Sequence, residues 1–350
     1  MQRIAFIAGL CLAFAGCQCH PVRIEATAKI QPEMPVKNVG PVVSQTVLAE
    51  HGADCDCKDC RACTPKIAVI DVDGLLANTD MTGLGSAGEN PVALFRERLD
   101  AVKKDPLVCG VVLRINSPGG GVAATDIMWH DLQQFRECTN LPVVSCLMDV
   151  GTGGAYYLAT ASDHIVAHPT SVTGGIGVIL NLYDLSLMLE HYQILSVPVK
   201  SGPNIDMGTP LRELGDERRK MLQQMADEYH RQFKQIVESA RPSIDTTLAS
   251  TFDGRVFTAS QAMERRLIDE IGYLDNAIDM AKQLACVQTA TVAMYHRCND
   301  RARTAYAITP NVPLQGSAFP MSIPPLDRSK MPTFLYLWQP EPTMEKMVGR

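Results

Sequence analysis

Three glycine-rich turns contain the residues that could do chemistry. The first, Ser-Pro-Gly-Gly-Gly at residues 117–121, follows the apolar run CGVVLRIN, and two more follow at 151–154 and 174–177. Successive glycines between a strand and a helix can direct several backbone N–H groups into one cavity. There they would stabilise the oxyanion that forms when an acyl carbonyl is attacked. The second turn leads into the start of a helix, a place where a nucleophile can be held.

The elements that must position these turns alternate along the chain. Between residues 66 and about 285, apolar strand-like runs such as KIAVIDVDG and LPVVSCLMD alternate with helical runs such as PVALFRERLDAVKK. This alternation predicts an α/β domain of repeated βα units with largely parallel strands. Apolar residues at helical spacing also predict a long helix near 216–240, with one face packed on the core or on a neighbouring protomer.

Composition and charge limit the class of protein. The 350 residues are 46% hydrophobic and 20% charged, with a formal net charge of −6. This composition allows a globular core, in one large domain with appendages or in two smaller domains. Because Lys and Arg are scattered through a mildly acidic chain, we exclude nucleic acid as a partner.

Residues 1–17 predict an export signal. Arg3 precedes an apolar run at 4–15, which as a helix would span about 18 Å and is too short for a bilayer core. The sequence Ala15-Gly16-Cys17 is typical of a lipoprotein processing site, which would leave Cys17 lipidated and attach the protein to the membrane on the periplasmic or extracytoplasmic side. Plain cleavage, with Cys17 left as an ordinary thiol, is the alternative.

Residues 18–66 lack sustained periodicity and are predicted to form a linker. They include four clustered cysteines, Cys55, Cys57, Cys60 and Cys63. Export favours disulfides within this cluster, while a soft-metal site and free thiols are the alternatives. We expect the cysteines that are spread through or after the core to be buried, inert thiols; they are Cys109, Cys138, Cys146, Cys286 and Cys298. No motif requires a cofactor.

Residues 286–350 are predicted to form a Pro-rich tail. An apolar island, FLYLW, interrupts this tail at residues 334–338. An extended tail with one adhesive segment is expected of such a composition. One hypothesis is that residues 334–338 dock into a hydrophobic groove of a neighbouring subunit.

The glycine-rich turns occur within four segments that are similar to the ordered motifs of a known family, the signal peptide peptidase A family of exported serine peptidases. The segments are LRINSPGGGV, MDVGTGGAYYLATASDHIVAHPTSVTGGIGVI, VKSGPNIDMGTPLREL and DGRVFTASQAMERRLIDEIGYLDNAI. The resemblance covers residues 67–285 and implies a Clp-protease/crotonase-like superhelix of βα units, a Ser/Lys dyad, oligomeric assembly and cleavage of signal peptides or other membrane-released peptides. It also implies that Gly120 belongs to the oxyanion hole and that Gly119, Gly121 and Gly154 line the substrate groove.

Both dyad positions depart from the family pattern. In an ungapped alignment, the nucleophilic Ser falls on Gly153 and the general-base Lys falls on Ile205, although Lys200 is kept. Gly has no side chain to attack with, and Ile has no lone pair to accept a proton. Because a buried Lys without a catalytic role has only its desolvation cost, we expect Ile205 to pack in the core and stabilise the fold.

The leading interpretation is an exported peptidase homologue without catalysis. It would bind signal-peptide-like peptides, and it would form a homo-oligomer or assemble with an active paralogue. A second hypothesis is an active endopeptidase with a displaced nucleophile, Thr152, and a base drawn from Lys200, His164 or His168. A third is an acyl-transfer or thioester enzyme that uses the first glycine turn as its oxyanion hole.

Overall fold

The computed structural model describes residues 43–49, 64–79, 90–245, 247–297 and 334–338. The strands of these ranges are β1 Val43–Ala49, β2 Lys66–Asp73, β3 Val108–Ser117, β4 Gly119–Gly121, β5 Val143–Thr152, β6 His164–Ala167, β7 Val172–Gly174, β8 Val256–Thr258, β9 Glu270–Ile271, β10 Thr291–Arg297 and β11 Leu335–Leu337. The helices are α1 Pro91–Lys104, α2 Val122–Thr139, α3 Gly154–Ala159, α4 Ser186–His191, α5 Asp216–Ala240, α6 Ala259–Glu264 and α7 Leu274–Leu284.

The main sheet has the order β1-β10-β2-β3-β5-β6-β9, with β7 beside β5 and β8 beside β7. The strands from β10 to β9 in this order run parallel, and antiparallel pairs occur at β1 and β8. Helices cover both faces of this sheet, which explains the nearly continuous burial along β2 and β3. The predicted α/β class is confirmed.

The predicted long helix is confirmed as α5. Its residues Phe233 and Val237 are fully buried against the core, whereas Met225 near its middle is exposed. The apolar face of α5 is thus in contact with the rest of the chain only in its C-terminal half. This half brings the ring of Phe233 to within 5.2 Å of the ring of Tyr157 in α3.

Two strands of the main sheet lie outside the predicted 67–285 domain. Strand β1 belongs to the predicted 18–66 linker, and β10 belongs to the predicted 286–350 tail, where it lies between β1 and β2. The main sheet therefore extends beyond residues 67–285 on both sides. Strand β1 is an antiparallel edge strand that is half exposed, and its weak alternation of apolar and polar residues is similar to that of a linker.

The Asp105 carboxylate ties these added strands to the core. It accepts hydrogen bonds from Lys66 Nζ at 2.9 Å, Gln45 Nε2 at 3.0 Å, the Tyr295 hydroxyl at 2.9 Å and the Leu107 amide at 3.0 Å. Partial burial alone would raise its pKa. The hydrogen bonds from Lys66, Leu107, Tyr295 and Gln45 outweigh it and lower the pKa of Asp105 to about 2.

The described cysteines fall into two groups. Cys146 is buried, and burial raises the pKa of its thiol to about 12, while Cys109 is half-buried. Cys138 near the end of α2 and Cys286 just after α7 are exposed, so the expectation of burial is wrong for these two.

Several predicted features lie outside the described residues. They are the 1–17 signal with Cys17, the cluster of Cys55, Cys57, Cys60 and Cys63, and Cys298. Among the helices of the described ranges, none is both long enough and apolar enough to cross a bilayer.

Replacing Asp105 tests its role in holding β1 and β10. Asp105→Asn should lower the free energy of unfolding at pH 7 by about 1 to 2 kcal/mol, because the carboxylate is stabilised more in the folded chain than in the unfolded one. This stability is present above the unfolded pKa of about 3.8 and is lost as the pH falls towards 2. The difference between the two proteins in urea unfolding should therefore shrink between pH 4 and pH 3.

Asp100→Asn on the same helix is the control. Asp100 is half exposed and pairs with Arg96 at 3.4 Å, so its loss should change stability by less than about 0.5 kcal/mol. Equal effects of the two substitutions at pH 7 would contradict the role assigned to Asp105.

Candidate functional site

The three glycine-rich turns meet at the carboxyl ends of β3, β5 and β7. The Gly153 amide donates to the Gly174 carbonyl oxygen at 2.9 Å, which joins the second turn to the third. A Cβ atom placed on Gly154 would lie 3.3 Å from the Gly120 amide nitrogen, so the first turn contacts the second. The structure therefore brings together the six predicted residues Gly119, Gly120, Gly121, Thr152, Gly153 and Gly154.

Strand β4 forms the first turn, and one of its edges is hydrogen-bonded to the backbone of Leu76. Gly121 N donates to Leu76 O at 2.8 Å, and Leu76 N donates to Gly119 O at 2.9 Å. Because successive residues of a strand direct their N–H and C=O groups to opposite edges, the polar groups of Gly120 point away from Leu76. A Cβ on Gly120 would lie 1.9 Å from Leu76 O, so this contact requires glycine.

The other edge of β4 is occupied by the tail strand β11. The two strands are antiparallel, with Tyr336 opposite Gly120. Val122 N donates to Phe334 O at 3.2 Å and Trp338 N donates to Pro118 O at 3.1 Å. Bonded pairs alternate in an antiparallel ladder, so Tyr336 and Gly120 form the bonded pair between these two. The Gly120 N–H thus donates to the carbonyl of Tyr336.

The tail strand also has backbone partners on its far edge. Leu335 and Ile179 exchange hydrogen bonds in both directions, at 2.9 Å and 3.0 Å. Residues 334–338 are therefore an inner strand with partners on both sides. In this single chain the segment lies in the chain's own groove, and its docking into a groove of a neighbouring subunit stays a prediction.

Gly153 lies directly beneath the backbone of the tail strand. It has a φ of +55°, and a Cβ built on it would lie 2.4 Å from Tyr336 O and 2.7 Å from Tyr336 C. The Tyr336 carbonyl thus fills the space that any side chain at 153 would need. A Cβ on Gly119 would likewise lie 2.0 Å from Tyr336 O and 2.7 Å from Gly154 N. The site surrounds a peptide carbonyl with backbone groups.

Ile205 is not packed in the core. Its side chain is 70% exposed, in the irregular segment between α4 and α5, so the prediction that it stabilises the core is wrong. The segment includes few buried side chains in this single chain, which leaves Ile205 without apolar neighbours to pack on. Lys200 Nζ in the same segment is paired with the Asp206 carboxylate at 2.8 Å.

Thr152 lies at the site, but its hydroxyl is bonded to the backbone. The side chain is fully buried, and Oγ1 donates to Pro118 O at 3.2 Å, an acceptor that cannot take up the proton. The candidate bases have other partners: Lys200 binds Asp206, His164 Nε2 lies 3.6 Å from a Glu270 carboxylate oxygen, and His168 Nδ1 lies 2.8 Å from Thr170 Oγ1.

An aromatic pocket that the sequence did not predict receives the side chain of Tyr336. The ring of Tyr336 stacks on Tyr157 with centroids 5.4 Å apart and contacts Phe233 at 4.7 Å. Its hydroxyl donates to Tyr229 O at 2.9 Å, and the Tyr157 hydroxyl donates to Asp126 Oδ1 at 2.8 Å. Burial raises the pKa of both tyrosines, so both phenols stay protonated and can donate at neutral pH.

Two signals in the sequence point to parts of this pocket. The Tyr-Tyr pair follows the second glycine turn, and the apolar face of α5 includes Phe233 and Tyr229. Neither signal shows that the tail island reaches them. Within the part of the chain that the structure describes, no group of His, Cys, Asp or Glu side chains could hold a metal ion.

Neighbouring glycines in the first turn give a matched test of its packing. Gly120→Ala should lower the free energy of unfolding by about 2 kcal/mol or more, because its Cβ would overlap Leu76 O. Gly121→Ala should cost well under 1 kcal/mol, since the nearest atoms to its Cβ lie 3.8 Å away. Chemical denaturation of both variants measures the difference, and equal costs would contradict the close approach of β4 to Leu76.

Comparisons with known proteins identify the family of this chain. Residues 136–288 match the family model described as peptidase family S49. A relative from Enterococcus faecium, named as a signal peptide peptidase SppA, is 30% identical over 67% of this chain and 68% of its own length. A protease from Synechocystis sp. is 32% identical over 60% of this chain and 74% of its own.

Among solved structures, the 1510-N membrane-bound stomatin-specific protease is similar over 63% of this chain and 85% of its own, with 14% identity and a TM-score of 0.40. The sequence relatives and the family model decide the assignment. The chain belongs to peptidase family S49, the family of signal peptide peptidase A.

Proposed function

We propose that this S49-family protein binds peptides in its groove without hydrolysing them. The observation that supports this most directly is the contact between Gly153 and the Tyr336 carbonyl. At the position aligned with the family's nucleophile there is no side chain, and a peptide backbone occupies the space that a side chain would need. The groove thus keeps the backbone groups that bind a peptide but has no nucleophilic side chain at position 153.

The chemistry of acyl transfer explains why both substitutions matter. Hydrolysis requires a nucleophile and a base that removes its proton, and Gly153 with Ile205 supplies neither. A backbone donor remains at the Tyr336 carbonyl, the N–H group of Gly120. Donors alone stabilise a bound carbonyl but do not break its peptide bond.

The remaining parts of the proposal concern ligand and location. The name of the Enterococcus faecium relative points to signal-peptide-like peptides as ligands. The predicted 1–17 signal would export the protein, and lipidation at Cys17 would attach it to the membrane on the periplasmic or extracytoplasmic side. An active paralogue in the same assembly could then cut what this chain binds.

A turnover assay tests the loss of catalysis. The purified full chain should neither cleave a hydrophobic signal-peptide substrate nor become labelled by a fluorophosphonate probe, and Thr152→Val should behave identically. An active member of the family is the positive control. Turnover that disappears in Thr152→Val would contradict the proposal and establish Thr152 as a displaced nucleophile.

Assembly is supported by an exposed apolar surface on the segment around α4. Its residues have few partners in the single chain, and contiguous apolar exposure of this kind marks interaction sites. The exposed apolar side chains are Tyr183, Leu187, Met188, Tyr192, Ile194, Leu195, Val197, Val199 and Ile205. We assign this surface to contacts between copies of the chain or with a paralogue.

Charges on this surface should reduce assembly. Leu195→Asp combined with Val199→Asp should lower the molar mass measured by light scattering, because each side chain is more than 80% exposed in the single chain and a buried unpaired charge opposes association. Leu248→Asp, at an exposed position outside this surface, is the control. A monomeric wild-type protein, or an unchanged mass in the double variant, would contradict the assignment.

A further inference from the structure

We propose that the groove between β4 and Ile179 is a binding site for extended peptides with a tyrosine, and that residues 334–338 are its built-in occupant. An incoming peptide would have to displace this segment. The inference rests on the proposed peptide-binding function and specifies its ligand. It follows from three contacts of the segment: its backbone edges, its tyrosine side chain and its carbonyl above Gly153.

The backbone contacts are those of an added strand. Phe334 and Trp338 bond to Val122 and Pro118 on one edge, and Leu335 exchanges two bonds with Ile179 on the other. Such bonds recognise any extended backbone and provide affinity without selecting a sequence. Selection in this binding mode comes from pockets for alternate side chains.

The pocket selects for tyrosine. Tyr336 is fully buried against Tyr157 and Phe233, whose rings also contact each other at 5.2 Å, so its ring completes a cluster of three aromatic rings. Its hydroxyl lies 2.9 Å from Tyr229 O and donates to it. Phenylalanine would keep the ring contacts and lose this bond, whereas a small side chain would lose both.

Gly153 adapts the groove to a bound peptide that is not cut. The peptide bond between Tyr336 and Leu337 passes over Gly153, whose Cβ would lie 2.4 Å from Tyr336 O and 3.1 Å from Leu337 N. A side chain at 153 would push this bond out of the groove. The same exclusion applies to a second peptide in the same position, which gives a test independent of the tyrosine pocket.

The tail competes as part of the same chain. Residues 298–333 connect it to β10, and tethered ligands act at effective concentrations on the order of mM. The apparent affinity for an added peptide is reduced by the fraction of grooves already filled. Weakening the tail should therefore strengthen binding of an added peptide.

The probe is the fluorescein-labelled peptide PTFLYLWQP, the sequence of residues 332–340. Fluorescence polarisation with the purified full chain measures its affinity. Tyr336→Ala should bind the probe about tenfold more tightly than the wild type, and Tyr336→Phe should show a smaller gain in the same direction. Leu248→Ala, at an exposed position away from the groove, should match the wild type.

Two further comparisons test the specificity. A probe with Tyr replaced by Ala should lose binding to the Tyr336→Ala chain, and a probe with Phe should bind up to about tenfold more weakly than the original. Adding Gly153→Ala to Tyr336→Ala should abolish probe binding, because the new Cβ excludes the probe backbone. Circular dichroism melts verify that each variant is folded.

Four other results would each overturn one part of this proposal. Equal, weak probe binding by folded wild-type and Tyr336→Ala chains would overturn the groove as a peptide site. Equal binding of the Tyr and Ala probes would overturn the tyrosine selection. A lower oligomeric mass in Tyr336→Ala would show that the occupant comes from a second copy. Probe binding followed by cleavage after Tyr, detected by mass spectrometry, would overturn the proposed loss of catalysis while leaving the site intact.

Discussion

The backbone of Gly120 is held between two other backbones, and the geometry of the site depends on this constraint. Its neighbours Gly119 and Gly121 bond to Leu76 on one edge, and its own N–H and C=O face Tyr336 on the other. The approach to Leu76 leaves no room for a Cβ at 120. The N–H and C=O groups on the other edge of β4 must therefore be hydrogen-bonded by water, by a ligand or by residues 334–338.

The second turn also leaves no room for a side chain at one of its glycines, Gly153. The φ of +55° at Gly153 and the Tyr336 carbonyl above it make this position accessible only to glycine. In a peptidase, a nucleophilic side chain at this position would attack the carbonyl carbon of the bound peptide. In this chain the Tyr336 carbonyl occupies the space that a side chain at 153 would need. The absence of a side chain at 153 is therefore what allows a peptide backbone to bind so closely.

Local patterns predicted the parts of the fold that depend on local order. The alternation of strands and helices, the helix α5 and the three turns follow from periodicity and from glycine at strand ends. Strands β1 and β10 did not, because an edge pairing across residues 43 and 297 is decided by contacts distant in sequence. Ile205 shows the same limit: an apolar residue type predicts burial, but burial needs neighbours, and the single chain provides few around it.

The site was predicted as a set of glycines but not as an occupied groove. Residue types at 119–121 indicate oxyanion donors, the turn at 151–154 indicates a nucleophile position at the start of a helix, and the FLYLW island indicates a segment that adheres to a surface. That the island meets these turns depends on the aromatic pocket formed by Tyr157 of α3 and Phe233 of α5, which are distant in sequence from each other and from Tyr336.

Amide hydrogen exchange of the full wild-type chain measures whether residues 334–338 fill the groove beside β4. We expect slow exchange of the Gly120 and Val122 amides and of residues 334–338 in the wild type, and fast exchange at both places in Tyr336→Ala while β5 stays protected. Fast exchange at residues 334–338 in the wild type, with the Gly120 and Val122 amides no more protected than in Tyr336→Ala, would contradict this occupancy.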